Sequence, residues 1–171
     1  MKPAMAKPPL SLKGRALRLL SGREYSRAEL ERKLGPHAQE PADVGRALDE
    51  LQAKGFISAQ RVVESVIHRR APRVGVARIR HELQQKGLEP GLVQEAVARL
   101  QVSEFERARE VWRKKFGAAR SQGDGDTPPP GPAERARQMR FLAARGFGGD
   151  TIRRLLRVSP EDDIAIDGDS G

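Results

Sequence analysis

The sequence contains no cysteine, which excludes a disulfide framework and any thiolate metal site. Histidine is nearly as scarce. His37, His68 and His81 stand far apart, with no second histidine at i+3 or i+4, so neither a metal site nor a cofactor is expected. No apolar run approaches the roughly 20 residues of a membrane span, and the first residues lack the apolar core of a secretory signal. A cytoplasmic protein that does not engage membranes is therefore expected. Phosphate-loop, nucleophile-elbow and zinc-protease signatures are absent, and no pair of carboxylates stands out from the helix surfaces. The chain is accordingly not expected to be an enzyme. Aromatic residues make up only 4% of it, which suits small helical units better than one large globule.

Positive charge is what the chain has in excess: 32 Lys and Arg against 23 Asp and Glu. Five of those acids, Glu161, Asp162, Asp163, Asp167 and Asp169, fall after Arg157, where no Lys or Arg occurs. Removing those five from 23 leaves 18 acids against 32 basic residues, a surplus of 14 in the body. A body this basic attracts nucleic acid, a nucleoprotein or an acidic protein face. The acidic tail has two readings: it solvates the end of a basic protein, or it competes for the basic face as an internal mimic of nucleic acid.

The chain is organised around residues 75–88. Val76, Ile79 and Leu83 form one stripe at helical spacing, and Lys86-Gly87 closes the helix with a cation in the last turn and a glycine free to turn left-handed. Lys54-Gly55 and Arg145-Gly146 look alike, and a terminator used three times suggests a repeat. Before it, Leu12, Ala16, Leu17 and Leu20 predict a first helix. Ser26-Arg27-Ala28-Glu29 is a capping box that opens a second. Val44, Ala47, Leu48 and Leu51 give a third. Val93, Ala96, Val97 and Leu100 reproduce that last pattern 49 residues later. In the second unit Val62, Val63, Val66 and Ile67 mark the first helix, cut by Pro72. In the third, Phe105, Ala108, Val111, Trp112 and Phe116 open the unit. Ala136, Met139, Leu142 and Ala143 then resume the pattern, and Ile152, Leu155 and Leu156 end it.

The fold expected is all-α: three tandem three-helix repeats in an elongated, curved body with a long face instead of a deep pocket. The expected division is a disordered basic lead-in at 1–9 and repeats at 10–57, 58–101 and 102–157. The third repeat carries a flexible Pro- and Gly-rich insertion at 117–133, and an acidic tail follows at 158–171.

These features resemble the RecX family of bacterial regulators of the RecA recombinase. The resemblance rests on Glu24 to Leu30 with Lys33-Leu34, on Lys54-Gly55-Phe56-Ile57, and on Gly75 to Leu88 with Arg78-Ile79, Glu82-Leu83 and Lys86-Gly87. It continues in Arg140-Phe141-Leu142 and Arg145-Gly146-Phe147, and it runs in order from about Leu10 to Leu156. Ala59 and Val62 stand where the family usually has an acidic residue and a phenylalanine. The resemblance implies a non-enzymatic regulator of recombination and DNA repair. It would bind RecA, both as a filament on single-stranded DNA and as free protein, and inhibit ATP hydrolysis and strand exchange. Weak binding to single- or double-stranded DNA and a monomeric state are expected beside it. The alternative is an autonomous DNA-binding protein that competes for DNA.

The basic candidates for contact with such a partner begin with Arg69, Arg70 and Arg73, gathered around Pro72, where guanidinium forks suit phosphates or carboxylates. Arg78 either makes such a contact or pairs with Glu82 one turn on. Arg80 lacks that partner. Lys86, Arg113, Lys114, Lys115, Arg153, Arg154 and Arg157 complete the set, and recurrence suggests one continuous basic groove. Tyr25 and Trp112 are read as core residues before base-stacking ones.

Overall fold

The computed structural model describes residues 10–117 and 130–157, so the expected lead-in, most of the insertion and the acidic tail lie outside the described residues. Among the described residues every regular element is helical. They are α1 (Leu12–Leu20), α2 (Arg27–Leu34) with a 3-10 turn (Gly35–His37), α3 (Pro41–Ala53), α4 (Ala59–Arg70), α5 (Val76–Gln85) and α6 (Pro90–Val102). These are followed by α7 (Glu104–Trp112), which runs into a π turn (Arg113–Gly117), then α8 (Pro132–Ala144) and α9 (Gly149–Leu156). The expected insertion is therefore shorter at both ends, since Gly117 belongs to the π turn and Pro132 opens α8.

Three apolar clusters hold these helices. Ala16, Leu30, Leu34, Val44, Leu48, Leu51 and Ile57 join α1 to α3. Val63, Val66, Val76, Ile79, Leu83, Val93, Ala96, Val97 and Leu100 join α4 to α6. Ala108, Val111, Leu142, Phe147 and Ile152 join α7 to α9. The two clean stripes are buried as their spacing predicts, in α3 and in α6. Elsewhere the face is rotated. Leu17 is exposed and Leu19 packs inward instead. In α8 Ala143 is exposed, whereas Gln138 is buried because the Trp112 Nε1–H donates to its side-chain oxygen at 2.9 Å. Trp112 thus spends its polar handle inside the third cluster.

The second helices of the units meet tip to tail, and this arrangement positions everything else. At the first joint the end of α5 docks on the start of α2. The Ser26 hydroxyl donates to the Lys86 carbonyl at 2.5 Å, and Gly87, at φ +66°, passes Ala28 so closely that a Cβ would lie 2.8 Å from that methyl group. At the second joint the end of α8 docks on the start of α5. There the Gly75 N–H donates to the Arg145 carbonyl at 2.8 Å and the Ala77 N–H to the Gly146 carbonyl at 3.2 Å. At both joints carbonyls left over at one helix end find donors at the start of the next, a serine hydroxyl at the first and backbone amides at the second, with opposite dipole ends facing. Lys54-Gly55, by contrast, ends α3 with its glycine's Cβ side open, and only its carbonyl is met, by the Arg61 guanidinium at 2.9 Å. The three terminators are alike as caps and differ in what they dock on. Proline closes both ends of the series, Pro36 after α2 and Pro132 at the first position of α8.

The joints differ in chemistry. At the first, Glu29 accepts from the Ser26 N–H at 2.9 Å, completing the capping box, and takes Lys86 Nζ at 2.9 Å and Arg23 at 3.1 Å. Arg61 adds a bond to Glu24 at 2.8 Å. At the second, backbone bonds are reinforced by buried Glu104, which accepts from the Val76 N–H at 3.0 Å and the Thr151 hydroxyl at 3.0 Å. Arg107 spans the same joint, donating to the carbonyls of Val74 at 2.9 Å and Leu100 at 3.0 Å.

Candidate partner-binding surface

The second joint leaves a depression on its flank, lined by Pro72, Arg73, Val111, Lys114, Lys115, Phe141 and Arg145. Its floor is apolar and its rim carries four cations from three segments. Arg73 follows the proline-cut end of α4, and its exposed side chain has no ion pair among the described residues. Lys114 and Lys115 come from the π turn, whose wider winding turns Phe116 inward while both lysines stay exposed. Phe116 then packs edge-on against Phe141, with ring centroids 5.0 Å apart. Phe141 in turn carries the Arg145 guanidinium 3.8 Å over its ring. This stacking orients a charge that would otherwise swing freely in solvent. Of the four, only Lys114 shares its charge with a carboxylate among the described residues, Glu110 at 3.5 Å.

The other expected contacts are divided among different surroundings. Arg69 and Arg70 close on Glu82 of α5, at 2.5 Å and 2.9 Å, and do not line the depression with Arg73. Glu82 is thereby taken from Arg78, which donates to the Ala144 carbonyl at 2.7 Å and braces the second joint. Lys86 is similarly committed, with only 12% of its side chain exposed beside Glu29. Arg80 is exposed in a separate hollow between α5 and α6, beside Gln84, Leu88 and Pro90. Arg113 pairs with Glu110 at 2.7 Å. On α9, Arg153 pairs with Asp150, Arg154 stacks 4.2 Å over Phe105, and Arg157 caps the helix in a left-handed conformation at φ +52°.

Two features have no clear signal in the sequence. Arg145 and Phe141 complete the depression, yet in sequence Arg145 is sufficiently explained as the cation of a helix stop. A second basic hollow lies on the first unit, where Arg15, Arg18, Lys33 and His37 surround Leu19 and Tyr25. Tyr25 is not free to stack on a base there, because the Arg23 guanidinium covers its ring at 3.5 Å. No helix among the described residues is long and apolar enough to cross a membrane.

Comparison with known proteins gives one consistent result. The profile for RecX, first three-helix domain, matches residues 13–51, and that for RecX, third three-helix domain, matches residues 103–156. The Regulatory protein RecX of Leptothrix cholodnii is 52% identical over 156 residues, covering 91% of this chain and 94% of its own. That of Ralstonia nicotianae is 45% identical over 166 residues, covering 97% and 98%. In fold the chain resembles the crystal structure of RecX from Lactobacillus salivarius, with a TM-score of 0.66 at 19% identity over 90% of this chain and 95% of the other.

Proposed function

The chain belongs to the RecX family, and from that premise we propose that it regulates homologous recombination and DNA repair by binding RecA, as filament on single-stranded DNA and as free protein. Binding inhibits ATP hydrolysis and strand exchange. The protein acts in the cytoplasm as a monomer, without a cofactor or a catalytic step of its own, and holds naked DNA only weakly. The division into repeats at 10–57, 58–101 and 102–157 belongs to the same proposal. It gives one chain several contacts, which strengthen one another through effective concentration.

The observation that supports this reading most is the cation-rimmed depression at the second joint. Four cations carried on three helix ends, one of them held over an aromatic ring, converge on one depression and offer phosphate or carboxylate groups several donors at once. Arg73 and Lys115 are the contacts proposed to matter most, since neither is engaged in an ion pair among the described residues. Arg80, Arg113, Arg153, Arg154 and Arg157 extend the basic face. Arg69, Arg70, Arg78 and Lys86 act through the fold. Replacing both Arg73 and Lys115 by Glu is expected to weaken inhibition of RecA ATP hydrolysis about tenfold or more, equivalent to at least about 1.4 kcal/mol. The melting temperature should stay near that of the parent chain. Undiminished inhibition by a folded variant would overturn the assignment.

A further inference from the structure

We infer that the depression at the second joint is also the docking site of the chain's own acidic C-terminal segment, Glu161 to Asp169, which competes there with other polyanions. Complementarity, reach and tethering each support this. The depression offers Arg73, Lys114, Lys115 and Arg145 around a floor that includes Val111 and Phe141. The segment offers Glu161, Asp162, Asp163, Asp167 and Asp169, with Ile164 and Ile166 between them. Two isoleucines spaced two apart fall on one face whenever such a segment lies extended. They would meet the apolar floor while the carboxylates on either side meet the rim.

Reach is ample. The tail leaves the body after Arg157, at the end of α9, and α9 packs on α7 and α8, which supply the floor of the depression. Its remaining residues can span roughly 45 Å when extended, against about 20 Å for the longest helix of a unit. Tethering makes the encounter intramolecular, at an effective concentration on the order of millimolar. Individually weak ion pairs then suffice, and the contact stays salt-dependent and displaceable.

The chain supplies its own probes, because it has one Trp and no Cys. Trp112 lies just before the π turn that lines the depression. In the full chain carrying Ser170→Cys, a fluorophore on the introduced thiol accepts energy from Trp112. Transfer is expected to be high at low salt and to fall at least twofold at high salt. Arg73→Glu with Lys115→Glu should lower it at low salt to the same level. Arg18→Glu with Lys33→Glu, the same charge change in the basic hollow of the first unit, should leave it high. A second readout uses Asn and Gln at the five tail acids, which should tighten binding of a fluorescent oligothymidylate several-fold. Transfer that is insensitive to salt, or equally lowered by both reversals, would overturn the proposal, as would unchanged oligothymidylate affinity. None of these measurements involves RecA, so their failure is distinct from failure of the regulatory assignment on which the role of the tail's competition rests.

Discussion

Replacing Gly75 by alanine is expected to destabilise the protein by about 3–4 kcal/mol, enough to lower its melting temperature by about 10 °C. The backbone conformation is not the reason. Gly75 has φ −77° and ψ 173°, an extended geometry open to any residue. The obstacle is space: a Cβ there would lie 2.1 Å from the Gly146 carbonyl oxygen and 2.3 Å from Phe147 N. Both are backbone atoms that cannot rotate aside, so the joint must separate. With it would go the bonds from Gly75 and Ala77 and the contact of Val76 with Glu104. Gly55 supplies the control. It has φ +77°, and a methyl group added there would meet nothing within 4 Å, so alanine incurs only the left-handed penalty of about 1–2 kcal/mol. Thermal or urea melts of the two variants, compared with the parent chain, measure the difference. Equal losses would mean that the second joint is not a tight backbone contact.

Glu29 should account for about 2–3 kcal/mol at neutral pH, all of it removable by acid. Only 12% of its side chain is exposed, as is 12% of Lys86, so solvent screens that pair little, whereas Arg23, 39% exposed, is screened more. Partial burial by itself raises the carboxyl's pKa. The Ser26 N–H, then Lys86 and Arg23, outweigh that effect and bring it to about 2, against a usual value of 4.5. Because the folded value is the lower one, the stabilisation is complete above about pH 5 and disappears as pH falls through about 2. Glu29→Gln keeps a partner for the Ser26 amide but carries no charge for Lys86 or Arg23. The stability gap between parent and variant should therefore be full at pH 7 and less than half as large at pH 3. A gap that does not change with pH would show that the first joint is held by packing, with the carboxylate incidental.

Both experiments probe the joints, the part of the fold hardest to read from sequence. The stripes Val44 to Leu51 and Val93 to Leu100 are legible because spacing alone decides which face is buried. The capping box at Ser26 is legible because its two bonds are local. The three cation-glycine stops are equally visible in the sequence, yet they are not equivalent. A cap fixes how a helix ends, and only the tertiary structure shows that Gly87 and Gly146 end against another helix while Gly55 faces open space. The same limit explains the basic candidates. Arg78 has Glu82 one turn away, but Arg69 and Arg70 reach that carboxylate from α4, leaving Arg78 for the Ala144 carbonyl. Arg145, in sequence a dipole cation, stands on Phe141 at the rim of the depression. Buried Gln138 is invisible to apolar periodicity, which has no place for a polar residue that satisfies an indole N–H.

The most direct test of the regulatory role is sedimentation of the full chain with RecA filaments formed on single-stranded DNA, beside the same DNA without RecA, at physiological salt. Preferential sedimentation with the filaments is expected, accompanied by reduced ATP hydrolysis that excess DNA does not restore. Equal sedimentation with naked DNA, with hydrolysis recovered simply by adding DNA, would contradict that role and make the basic face a DNA-binding surface in its own right.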